Sequence, residues 1–211
     1  MGKNYQGVHG NWTGKVGNVV GAMKDGRTIL RIYQPIVANP NTEGQQLQRS
    51  KLSLVAEFLR NMSAIVKLGY TPNTKYGTRW SDCIRENMRN AISVVGGAAS
   101  LDYTKVVISN GNLDLPLNLT ASNDANDLTF AWTDNSGVGN ALATDVLVYA
   151  IKNKTKDVWM AADSNTARST RSYTIALPSA WSGDEIYIYA FMKRADGSMS
   201  SETAYIGDIV L

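Results

Sequence analysis

The sequence predicts an α+β chain in which an N-terminal β-hairpin and two helices precede a β-sandwich. Two observations divide it. Charge splits by position: residues 1–100 hold 13 basic and 5 acidic side chains, a net of +8, whereas residues 101–211 hold 8 and 13, a net of −5. Hydrophobic spacing also changes near residue 103, from a helical repeat to the two-residue alternation of strands. The chain therefore reads as two modules with different partners, a basic one over 1–100 and an acidic one over 101–211.

Residues 10–36 read as a glycine-rich hairpin. Lys15 to Met23 and Thr28 to Ile36 flank Asp25-Gly26, a dipeptide suited to the two positive φ angles of a type I′ turn. Gly14, Gly17 and Gly21 weaken the first strand and permit a bulge or the close approach of another backbone. Asn39-Pro40-Asn41-Thr42 ends the second strand. Thr42 with Gln45 three residues on fits a capping box. Leu47, Val55, Phe58, Leu59, Met62, Ile65 and Val66 then recur on one helical face, so one helix of roughly 26 residues, about 40 Å long, is expected. Gly69 is its natural C′ residue, and Pro72 bars continuation. A second helix runs from Arg79 to Val95, with Trp80, Ile84, Met88, Ala91, Ile92 and Val95 inside, and Gly96-Gly97 stops it.

Strand-like runs follow at 104–109, 113–119, 127–133, 144–152, 157–162, 171–177, 185–193 and 201–207. Turn residues such as Asp134-Asn135-Ser136-Gly137 and Asp196-Gly197 separate them. Short strands at this spacing read as a β-sandwich. Its core is expected to centre on Trp132, Tyr187 and Tyr189.

Within that half, Leu128-Thr129-Phe130-Ala131-Trp132 is similar to the second strand of a fibronectin type III domain, whose tryptophan fills the core between the sheets. Leu177-Pro178 and Tyr187-Ile188-Tyr189-Ala190-Phe191 resemble its corner and sixth strand, which implies that Tyr187 is the corner tyrosine. The whole chain also resembles an uncharacterised family, a domain of unknown function seen mainly in Bacteroidetes and their phages. Gly14-Lys15-Val16-Gly17-Asn18-Val19-Val20-Gly21, Arg31, Asn39-Pro40-Asn41-Thr42 with Gln45, Gln48 and Arg49, Asp102-Tyr103 and Ser109-Asn110-Gly111-Asn112-Leu113 carry this likeness. An Asn-Pro-x-Thr segment leading into a Gln/Arg helix is similar to one in phage structural proteins. The likeness implies an architecture and a virion context, and brings no catalytic residues.

Composition narrows the function further. A hydrophobic content of 44 % with 18 % charged residues is that of a globular protein. The lone Cys83 excludes an intrachain disulfide framework and a four-cysteine zinc site. The stretch MGKNYQGVHGNW has no apolar signal region, and no apolar run reaches the roughly 20 residues of a membrane span. The expected product is made in the cytoplasm without a signal peptide, assembled into a virion or particle, and makes no membrane contact.

The chemistry-bearing residues point the same way. Gly10-x3-Gly14-Lys15-Val16 lacks the spacing and the Ser or Thr of a phosphate loop. His9 is the one histidine, distant in sequence from Cys83, so neither a Cys–His pair nor a histidine metal site is expected. Asp124, Asp127 and Asp134 lack EF-hand spacing and read as solvated loop carboxylates. No catalytic residue, cofactor or metal is expected, and the protein is read as no enzyme.

The expected working surface is instead an assembly interface of Trp12, Gly14, Lys15, Gly17, Gly21, Lys24, Arg27, Arg31, Tyr33, Pro40 and Thr42. Alternation can gather the hairpin cations on one face, with Trp12 and Tyr33 among them as on a stacking or interface surface. Arg49, Arg60, Lys67, Arg85 and Arg89 read as a solvated helix face. The partners expected are further copies of this chain or other virion proteins, with nucleic acid as an alternative at the basic module. A carbohydrate-binding adhesin, using Trp159 and Trp181 as a platform, is the remaining alternative.

Overall fold

The computed structural model describes residues 3–4, 12–24, 26–36, 38–70 and 78–211. The turn residue Asp25, the arm residues His9 and Gly10, and Pro72 lie outside them. Packing divides the chain between Thr42 and Glu43, not near residue 100 where the charge changes sign. Among the described residues no helix is long and apolar enough to cross a membrane.

The first unit, Met1–Thr42, is an antiparallel sheet of β1 (Lys3–Asn4), β2 (Trp12–Val16), β3 (Val19–Lys24) and β4 (Arg27–Ile32), in that order. The β3–β4 hairpin closes with Lys24 opposite Arg27, and Gly26 takes φ +75° beside that pair. The single first strand expected from Lys15 to Met23 is instead two strands. Gly17 takes φ +57° between the paired Val16 and Val19, at the first central position of a two-residue turn. A type II′ turn asks for glycine at that position.

The second unit, Glu43–Leu211, begins with α1 (Glu43–Phe58), α2 (Ser63–Gly69) and α3 (Arg79–Asn90). The one long rod expected from residue 43 breaks where Asn61 turns left-handed, at φ +70°. Asparagine tolerates that region better than most residues. The amides of Arg60 and Met62 close three-residue turns onto Glu57 and Leu59. The apolar stripe survives the break, since Val55, Phe58, Leu59, Met62, Ile65 and Val66 are all buried. Gly69 is the last helical residue and not a C′ cap. A Cβ there would lie 2.5 Å from the carbonyl oxygen of Ile108, so close backbone approach demands glycine.

Thr78 caps α3, its hydroxyl accepting from the Ser81 amide at 3.2 Å. The helix stops at Asn90, short of the expected Val95. Ile92, Val94 and Val95 are β-branched and enter a hairpin of β5 (Ile92–Val95) and β6 (Ala98–Leu101). Gly96 and Gly97, at φ +60° and +81°, form its turn and terminate no helix.

Seven strands complete the unit: β7 (Leu117–Asp124), β8 (Asp127–Thr133), β9 (Val146–Asn153), β10 (Val158–Ala167), β11 (Ser172–Ala176), β12 (Glu185–Lys193) and β13 (Ala204–Val210). They form antiparallel sheets in the orders β11-β8-β7 and β10-β9-β12-β13. The run expected at 104–109 holds a short 3₁₀ turn, Tyr103–Lys105, followed by irregular chain. The expected 113–119 strand begins later, at Leu117.

Two hydrophobic clusters meet at the central strands. Leu128, Phe130 and Trp132 of β8 pack with Leu147, Tyr149 and Ile151 of β9 and with Ile186, Ile188 and Met192 of β12. The opposite face of β9 and β12 supplies Val148, Ala150, Tyr187, Tyr189 and Phe191 to a cluster with the helical stripe and with Cys83, Val106 and Ile108. The four-stranded sheet is thus covered on both faces, by the three-stranded sheet and by helices. Overall this is an α+β fold with mostly antiparallel strands.

Candidate functional site

The open sheet of the first unit gathers most of the sequence-predicted interface residues. Cross-strand partners share a face, and successive residues alternate between faces. Val16, Val19 and Ile32 are opposite one another, as are Gly14, Gly21 and Leu30; Met23 pairs with Thr28. Trp12 is two residues from Gly14 and so joins this face. The other face carries the rows Lys15–Val20–Arg31, Ala22–Ile29 and Lys24–Arg27. All four sequence-predicted cations of the sheet therefore share one face, and among the described residues the opposite face holds no charge. The Lys15 ammonium lies 3.4 Å from the ring centroid of Tyr33, just beyond β4, a close cation–π contact. An open depression of about 640 Å³ lies among Val20, Arg31, Ile32, Tyr33 and Gln34.

The uncharged face is poorly covered. Ile32 is 77 % exposed and Leu30 57 %, while Val16 and Met23 are exposed to a similar degree. Gly21 is the one described residue of this unit that is buried. The reason is Trp12: a Cβ on Gly21 would stand 2.8 Å from the Trp12 carbonyl oxygen and 2.9 Å from its ring. Glycine at 21 thus lets the Trp12 backbone and indole approach the sheet closely. Gly17 serves the β2–β3 turn, and Gly14 carries a left-handed φ of +101°. Pro40 and Thr42 lie in the exposed segment before α1, with Thr42 immediately preceding Glu43.

Sequence reasoning missed Val16, Met23, Leu30 and Ile32 as surface residues. Their signal was present: counted with the turn at Gly17, they fall on one parity against the cations. Without that turn the parity of β2 relative to β3 is lost.

The three residues expected at the sandwich core separate. Trp132 is in the cluster between the sheets, and its indole donates to the Arg168 carbonyl at 2.7 Å. Tyr187 and Tyr189 are on the opposite face, against the helices. Tyr187 stacks on Tyr103 with centroids 4.5 Å apart, and the Tyr189 hydroxyl donates to the Tyr103 carbonyl at 2.8 Å. Tyr187 donates to Glu185 Oε1 at 3.0 Å, an acceptor two residues away on its own strand. The tryptophans considered as a sugar platform each pack against one of the two clusters. Trp181 is buried in the inner cluster, and Trp159 packs edge-on against Phe58.

The titratable groups of the second unit that move do so for structural reasons. Burial pushes the Cys83 thiol up to about 12, against hydrogen bonds to Tyr70 and Asn87 that act the other way. Burial likewise raises Tyr70 and Tyr189. A thiol so raised is a poor nucleophile. Among the described residues, no three His, Cys, Asp or Glu side chains gather as a metal site.

Comparison with known proteins adds one match: residues 10–207 correspond to DUF6266, a family of unknown function. No curated protein matches the chain.

Proposed function

We propose that this chain, which belongs to the DUF6266 family, is a non-enzymatic structural subunit of a phage-type particle: capsid, head decoration or tail. In this reading the N-terminal sheet makes the assembly contact and the C-terminal sheets project as a fibronectin type III-like domain. One observation carries it: a four-stranded sheet with one uncharged, exposed apolar face and one cationic face. An exposed apolar face of this kind marks an interaction surface, and the outer edge of β4 adds a strand template. The fibronectin-like part is supported by strand orders β11-β8-β7 and β10-β9-β12-β13, and by Trp132 between the sheets. The Asn39-Pro40-Asn41-Thr42 segment, similar to one in phage structural proteins, adds the particle context.

The test is incorporation. Expressed with the products of its neighbouring genes, the chain should co-purify in large homogeneous particles by light scattering. A Pro40→Gly, Thr42→Ala double variant should stay folded yet enter them poorly, because it frees the chain direction before α1. A monodisperse monomer under all these conditions would sink the reading.

A second reading draws on the cationic face alone. Lys15, Lys24, Arg27 and Arg31 beside Tyr33 suit a phosphate backbone with an aromatic to stack on. Salt-dependent retention on DNA, lost on reversing Lys15 and Arg31, would favour it.

A further inference from the structure

We infer that a depression between the end of α1 and the β9–β10 turn binds a neutral, hydroxyl-rich ligand of the class of a single sugar unit. The site lies wholly within the second unit and is independent of the assembly reading. Its volume is about 300 Å³, at the small end of ligand pockets. The helical side supplies Glu57, Arg60 and Asn61, and the strand side supplies Lys152, Asp157 and Trp159. Lys152 and Trp159 are cross-strand partners on β9 and β10, so both side chains stand on one face of the sheet. The 2.7 Å bond from the Trp159 indole to the Phe58 carbonyl fastens the two walls to each other. The pocket is thus held by packed elements before any ligand arrives.

Lys152 carries the inference. Its side chain is 5 % exposed, yet it lines the depression. The ammonium lies 5.6 Å from the Phe58 ring centroid and 5.5 Å from that of Trp159. Among the described residues its three N–H donors find one oxygen acceptor, the Asp157 carboxylate. A buried ammonium is costly to leave short of acceptors, so the remaining donors call for oxygen from outside the chain.

Charge sets the class of ligand. Glu57 and Arg60 stand 3.9 Å apart, and Asp157 holds Lys152, so two anions and two cations cancel around the depression. An anionic ligand meets Glu57 and Asp157, and a cationic one meets Arg60 and Lys152; each charge sign is opposed. Sugar hydroxyls both donate and accept, which matches carboxylates beside an ammonium, a guanidinium and the Asn61 amide. The half-buried indole of Trp159 adds an apolar wall for the C–H face of a sugar ring. A ligand this small binds weakly, with a dissociation constant on the order of 1–10 mM.

Two-dimensional NMR of the full chain, titrated with glucose, galactose and N-acetylglucosamine, makes the test. At least one of these should shift the Trp159 indole N–H and the amides of residues 57–61 and 152–159 saturably. Lys152→Met keeps the apolar stem and removes the donors. Asp157→Asn keeps a residue that tolerates the left-handed φ of +54° at that position. Each should weaken binding about tenfold or more. Lys154→Ala should leave it unchanged, because that ammonium pairs with Glu185 and does not line the depression. Unshifted amides in β12 verify the fold, and the exposed Glu57→Gln, expected to weaken binding about threefold, serves if a buried variant misfolds. No saturable shift with any of the three sugars up to about 100 mM would overturn the inference and leave water as the acceptor for Lys152. Undiminished binding in both Lys152→Met and Asp157→Asn would overturn it too, as would glucuronate binding more tightly than the neutral sugars.

Discussion

The indole Nε1 of Trp159 donates to the carbonyl of Phe58 at 2.7 Å, and the two rings meet edge-on with centroids 5.0 Å apart. That contact ties β10 to the end of α1 and makes the helices a cover for the sheet. Trp159 is half-buried against that core, so Trp159→Ala should cost about 1–3 kcal/mol, below the range for a fully buried aromatic. The loss should appear as one earlier melting transition for residues 43–211. Two resolved transitions, one for helices and one for strands, would refute the shared core.

The same packing bears on truncation. A fragment of residues 110–211 would bare Val148, Tyr187, Tyr189, Phe191 and Trp159, which the helices cover in the intact unit. Such a fragment should bind a hydrophobic dye and aggregate, while residues 43–211 should stay soluble. Equal solubility of the two fragments would show that the helical layer is dispensable.

Arg168 and Asp145 are fully buried, with Nη2 and Oδ2 3.2 Å apart. Arg168 also donates to Asn135 Oδ1 at 2.6 Å and to the Asp114 carbonyl at 2.7 Å, so its charge depends on fixed loop acceptors. Asp145→Ala should cost about 3–5 kcal/mol, because it strands a buried cation. The double variant Arg168→Met, Asp145→Leu should recover part of that loss. Urea melts of the two proteins decide it, and a double variant weaker than the single one would contradict the stranded-charge account.

Acid should destabilise the Asp184 corner in a defined direction. Lys156 first, then Asn153, hold the Asp184 carboxyl below its ordinary value of 3.8. Its folded form therefore binds a proton less readily than the unfolded chain. The stabilisation is fully present above about pH 4 and is lost as pH falls through the lowered folded value. Asp184→Asn should flatten the dependence of stability on pH below about 4. Equal acid sensitivity in variant and parent would assign the effect elsewhere.

Strand positions were largely legible because alternation and turn residues are local. The role of β9 and β12 was not drawn from the same letters. In Val146–Asn153 and Glu185–Lys193 both parities are apolar, which is the mark of a strand buried on two faces. Read as one-sided, these strands placed Tyr187 and Tyr189 beside Trp132. The Asn61 break was hidden because the apolar stripe runs through it unbroken, and Gly96-Gly97 suits a helix stop and a hairpin turn equally. Ser109-Asn110-Gly111 owes its form to non-local contacts. Thr203 donates to the Ser109 carbonyl and its hydroxyl accepts from the Ser109 amide, and a Cβ on Gly111 would meet the Ser200 carbonyl at 2.2 Å. The interface was legible in its cations and not in its apolar half, whose parity depends on the turn at Gly17.

Gly21 offers the last test, one confined to the N-terminal sheet. An added methyl would meet the Trp12 carbonyl oxygen at 2.8 Å and its ring at 2.9 Å. The ring can swing away, but the carbonyl belongs to β2, so the strand itself must shift. Gly21→Ala should therefore loosen the β2–β3 pairing at Gly14–Gly21 by about 1–3 kcal/mol, the usual cost of overpacking. Exchange measured by segment should show faster opening across residues 12–24 and no change in β9 or β12, which belong to the other packing unit. Removing the indole as well, in Trp12→Ala, Gly21→Ala, should restore little, since the carbonyl contact remains. Full restoration by the double variant would make the ring, not the strand, the source of the constraint. Unchanged protection in Gly21→Ala would mean that β2 does not depend on this contact at all.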